Sequence, residues 1–169
     1  MAVPVWATND VPSASDFNVW LTNINFAYKT SDTSRASTTT VTDDPHLTVP
    51  VAINSVYMVT VMLNYDAVTA ADFKYLLNTP AGCTFAALEN SMPTTATVPA
   101  DVIISGRSIN GEGPAGGLGA GTIVPLVVQG LLTVGSTAGS FKVQWSQNTS
   151  NATATILKAN SYIFLQRGS

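Results

Sequence analysis

Residues 141–167 read FKVQWSQNTSNATATILKANSYIFLQR. Phe141, Val143 and Trp145 alternate with Lys142, Gln144 and Ser146, the period of two expected of a strand with one buried face. Asn148-Thr149-Ser150-Asn151 then supplies turn-forming side chains. Residues 153–158 and 161–167 resume extended sequence, rich in β-branched and aromatic residues. The stretch predicts two strands joined by a polar turn. Its candidate core residues are Phe141, Val143, Trp145, Tyr162 and Phe164.

Upstream, the same pattern recurs. Residues 56–65, VYMVTVMLNY, are apolar on nearly both faces, which predicts a central strand with Val59 and Val61 in the core. Leu47, Val49 and Val51 alternate with His46, Thr48 and Pro50, a strand with a proline near its end. Further strands are predicted at 72–78, 83–88, 102–109 and 123–134, the last distorted by Pro125 and Gly130. Residues 38–41 have the propensity of an exposed edge strand. Asp43-Asp44-Pro45 and residues 79–82, TPAG, read as turns. Residues 90–100 and 110–121 read as Pro/Thr and glycine loops. About eight to ten evenly spaced strands with turn signals between them are the mark of a β-sandwich or jelly roll.

One helix is expected, ahead of the strands. Residues 1–12 form an extended lead-in with Pro4, Pro12 and Trp6. Ser13 followed by Asp16 resembles a capping box. Phe17, Trp20, Leu21, Ile24 and Tyr28 recur at helical spacing, so a helix over about residues 14–26 carries one apolar stripe. That stripe packs either on the chain's own β-domain, on further copies of the chain, or on a host surface. The expected organisation is therefore an arm and anchoring helix at 1–28 and a β-sandwich at 29–169.

Composition narrows the role. Of 169 residues, 46% are hydrophobic, enough for a sizeable core. Only 10% are charged, against about a quarter in ordinary soluble domains. A surface this poor in charge suits a protein that works inside an assembly. The seven Lys and Arg are scattered, so no phosphate-neutralising patch for nucleic acid is expected. No run of eighteen apolar residues points to a membrane span. The first ten residues, MAVPVWATND, lack the charged and apolar regions of a signal peptide. Cys83 is the sole cysteine, expected to be a small buried apolar side chain, and no intrachain disulfide is possible.

Candidate chemistry is sparse. Gly111, Gly113 and Gly116 spell G-x-G-x-x-G, but Pro114 interrupts it and a strand pattern follows instead of a helix, so no dinucleotide site is expected. His46 is the sole histidine and any nucleophilic triad would have to use it; it reads as an exposed residue at a strand entry. Asp43, Asp44 and His46 are too local to make a tetrahedral metal site alone. Nothing pairs Asp66, Asp72, Glu89, Asp101 or Glu112 for glycoside hydrolysis. Asn148-Thr149-Ser150 and Asn151-Ala152-Thr153 match glycosylation sequons and read as polar turns. The expectation is a non-enzymatic protein with no catalytic, metal-binding or cofactor-binding residues and no cofactor.

Several motifs together resemble a known module. They are Asp32–Ser34, residues 37–39 (STT), Asp43-Asp44, residues 47–51 (LTVPV), residues 72–74 (DFK), residues 80–82 (PAG) and residues 145–153 (WSQNTSNAT). A hairpin is implied at the last of these. The usual glycine before Ser161-Tyr162 is Asn160 here, a residue that also tolerates left-handed backbone. Over about residues 9–167 the chain is similar to virion structural proteins of actinobacteriophages: minor tail proteins, tail-fibre tips and head decoration proteins. The resemblance implies a C1q/TNF-like jelly-roll β-sandwich, here preceded by a short N-terminal α-helix and extended arm, that forms a homotrimer. It implies a place on the phage particle surface after synthesis in the host cytoplasm, with a major capsid protein or a tail protein as partner.

The resemblance leaves two roles open. One is capsid decoration that stabilises the head shell. The other is a tail-associated module recognising a host cell-surface glycan. Neither glycine-rich nor Pro/Thr loop carries the exposed aromatics a glycan site would use. The chain starts at Met1 and has no coiled coil or fibre shaft, which fits direct seating on a capsid. Trp6, Phe17, Trp20, Leu21 and Ile24 are the expected anchor and trimer contacts, because buried aromatics supply most interface energy.

Overall fold

The computed structural model describes residues 11, 13 and 23–168. They form an all-β architecture with no helix. In chain order the strands are β1 (Ile24–Tyr28), β2 (Thr33–Arg35), β3 (Thr42–Val51), β4 (Val56–Asp66), β5 (Phe73–Asn78), β6 (Thr84–Ser91), β7 (Ile103–Arg107), β8 (Glu112–Ala115), β9 (Ile123–Thr133), β10 (Gly139–Gln147), β11 (Thr155–Leu157) and β12 (Tyr162–Arg167). One sheet runs β1-β12-β4-β9-β6-β7, with β11 and β2 attached beside β4; the other runs β3-β10-β5-β8. Every pairing is antiparallel.

The core lies between the sheets. Val59 and Val61 of β4 and Phe141, Val143 and Trp145 of β10 are at most 2% exposed. Phe73 of β5 stacks on Tyr65 at 4.5 Å and on Trp145 at 5.8 Å, so offset ring packing ties both sheets together. Cys83 is half-buried at the margin of this core.

The opening stretch departs from the sequence reading in two ways. The strands β10 and β12 are not a hairpin, because β10 lies in the four-stranded sheet and β12 in the larger one. The polar turn between them carries the chain across the sandwich. Tyr162 and Phe164, expected in the core, lie on the outer face and are half-buried. The inward pair is Ile163 and Leu165, opposite Val61 and Val59 of β4. A strand's side chains alternate, so a register one residue off exchanges the two faces. That register is held by Asn160, at φ 66, and by Ser161, whose Oγ accepts from the Asn64 amide at 2.9 Å.

Other segments differ for local reasons. Asp43-Asp44-Pro45 is not a turn but part of β3, which tolerates proline because it is the margin of its sheet. Residues 38–41 are not strand; the short edge strand is β2 instead. Strand β9 keeps unbroken register with β4 through Pro125 and Gly130. Pro125 lies beyond the last pair with β6, Val127–Asn90, so no β6 partner needs its missing amide. The glycine loop contains β8, paired with β5. Residues 24–26, expected to end the helix, are strand β1, which pairs with β12 along its whole length. The expected helix up to residue 22, with Phe17, Trp20 and Leu21, lies outside the described residues, as does Trp6 of the lead-in.

Candidate interaction surface

Several of the charged residues weighed for chemistry make structural contacts. Lys29, just after β1, and Asp44 of β3 are both fully buried, with Nζ donating to Oδ2 at 2.7 Å. Asp44 Oδ2 also accepts from Trp145 Nε1 at 3.1 Å and Thr33 Oγ1 at 3.3 Å. Its Oδ1 accepts from the His46 amide at 3.0 Å. Burial alone would raise the Asp44 pKa, but the hydrogen bonds from Lys29 and the His46 amide outweigh it and hold the carboxyl below its ordinary 3.8. The His46 ring is 27% exposed, with Nδ1 3.4 Å from Lys29 Nζ. Arg35 of β2 lies over the Trp145 ring at 4.2 Å and donates to the Trp145 carbonyl. The lysine escaped the sequence reading because no local pattern pairs residue 29 with residue 44; only the packing of the β1 margin of the larger sheet against β3 of the other sheet brings them together.

At the opposite margin, Arg107 of β7 bridges the two sheets. Its guanidinium sits 4.4 Å from the Tyr75 ring centre and donates to the Gly111 carbonyl at 2.6 Å and the Tyr75 carbonyl at 3.2 Å. Its Nε lies 3.8 Å from buried Glu89. A Cβ on Gly113 would collide with this guanidinium, so the G-x-G-x-x-G string answers a packing demand at that position. Asp66, Asp72 and Glu112 are likewise engaged. Asp66 accepts from the Gly121 amide, Asp72 from the Gly117 amide, and Glu112 pairs with Lys74 at 2.9 Å. Among the described residues, no group of three or more His, Cys, Asp or Glu could hold a metal ion.

The two outer faces of the sandwich differ in character. On the four-stranded sheet, Lys142 pairs with Asp43 at 2.8 Å and Lys74 with Glu112, as on an ordinary solvated face. The outer face of the larger sheet carries no charge across three successive rows. Ile24, Gln166, Met58, Leu131 and Ala86 form the first row. Phe26, Phe164, Thr60, Gln129, Leu88 and Gly106 form the second. Tyr28, Tyr162, Met62, Val127, Asn90 and Ile104 form the third. Met58 is 59% exposed, Phe26 55%, Leu131 50% and Ile104 74%, so this apolar face lacks a covering layer within the described residues. Phe26 stacks on Tyr28 at 5.7 Å and leans on Tyr162 at 6.0 Å, giving the β1 margin an aromatic cluster. Of the expected contact residues, Ile24 lies on this face, 47% exposed.

Beside the third row, where β9 meets β6, is a pocket of about 220 Å³. Asn90, Pro125 and Val127 of the sheet and Pro99 and Val102 of the preceding loop line it. Ser91 also lines it, and its hydroxyl is buried with no hydrogen-bond partner.

Comparison with known proteins adds little. No protein-family model matches the chain, and no curated protein matches it. The solved structure titled "Structure of infectious bursal disease virus Gt strain" aligns with 86% of this chain at 9% identity, with a TM-score of 0.21. The chain spans 40% of the length of that structure's chain. A likeness that low carries no argument about fold or role.

Proposed function

We propose that this chain is a non-enzymatic structural protein of a phage virion, a homotrimer that decorates and stabilises the head shell. The observation that carries the reading is the uncharged outer face of the larger sheet. Soluble monomers rarely leave a contiguous apolar patch open; one this broad marks an interaction surface. Its partner here is a second and third copy of the same chain. The face bears no charge that would repel a neighbouring copy, and it combines aromatic, Met and Leu side chains of the kind enriched in interface cores.

The topology supports the jelly-roll reading. With β2, β6, β7 and β11 set aside, eight strands remain, ordered β1-β12-β4-β9 and β3-β10-β5-β8. Apart from β5 and β8, which are neighbours in one sheet, successive strands of these eight pass between the sheets as in a double Greek key. The motifs that resemble actinobacteriophage virion proteins converge in this frame: Asp44 of the Asp-Asp pair and Trp145 of the WSQNTSNAT stretch meet at 3.1 Å. They act as fold determinants, which suits a structural protein.

The test is electron microscopy of intact particles labelled with an antibody to the chain. Label distributed over the heads is the expected result. Label confined to the tail tip would replace decoration with a tail-associated role, and absence of label from both would refute the virion reading.

A further inference from the structure

We draw no further inference here: the strongest candidate, the apolar pocket where β9 meets β6 beside the uncharged outer face, carries none because nothing among the described residues shows what covers it.

Discussion

Trp145 concentrates the fold's internal logic in one side chain. It is fully buried, stacks with Phe73, donates its indole N–H to Asp44 and carries Arg35 over its ring. Trp145→Ala should destabilise the protein by about 3–5 kcal/mol, read from urea unfolding; a loss below about 1 kcal/mol would contradict its place in the core. Asp44 is the second residue on which much depends. Asp44→Asn would leave the Lys29 ammonium buried without a counter-charge, at a cost of about 3–5 kcal/mol near neutral pH.

The Asp44 pKa is lowered in the fold, so the native state binds fewer protons than the unfolded chain between the folded value and 3.8. Its contribution is complete above 3.8 and is lost as pH falls through the folded value. Asp72 works in the opposite sense. Burial raises its pKa against the opposing Gly117 amide, so its contribution fades as pH rises past its folded value. Unfolding curves between about pH 2 and pH 7 should therefore show an acid limb that is shallower in Asp44→Asn than in the natural chain. An unchanged limb would remove the Lys29–Asp44 pair from the account. Trp145 was legible from alternation alone. The Lys29–Asp44 pair was not, because a contact between residues 15 apart on different sheets leaves no periodic trace.

Among the elements, legibility followed the same division. Strand β4 reads directly, since eight of its eleven residues are apolar, with only Thr60 and Asn64 interrupting before Asp66. Faces are harder to assign. In β12 both alternating sets are apolar, Tyr162 and Phe164 against Ile163 and Leu165, so period alone cannot say which set points inward. The same ambiguity is what the proposed self-association would produce, since an outer face covered by another copy is apolar too. Residues 24–28 show the competing case. Their spacing continues a helical stripe, yet five paired residues beside β12 hold them as strand, because tertiary pairing overrides a weak local preference. At this scale the account predicts the behaviour of Met58→Lys. Met58 is exposed at the centre of the first row of the uncharged face, so the change should shift monomer stability by no more than about 0.5 kcal/mol. It should nevertheless disrupt self-association, since it buries a lysine in an apolar interface.

For the whole molecule, β1 redraws the boundary between anchor and domain. A truncation that removes residues 1–28 would take away a strand of the larger sheet. Removal of residues 1–22 spares β1, and should leave a folded domain that no longer joins particles. Normal incorporation of that truncation would show that the N-terminal segment is not the anchor. The sandwich class was visible in the sequence because strand count and turn spacing are local quantities. The asymmetry between a charged outer face and an uncharged one was not, because it emerges only when five pairings align three rows of side chains across the larger sheet.

The most direct test of that asymmetry is the solution mass, measured by light scattering at micromolar concentration for the natural chain and for Met58→Lys. The account predicts about three times the 17.6 kDa chain mass for the first and a shift toward 17.6 kDa for the second. A natural chain that runs as a monomer, or a trimer indifferent to a lysine at position 58, would contradict it.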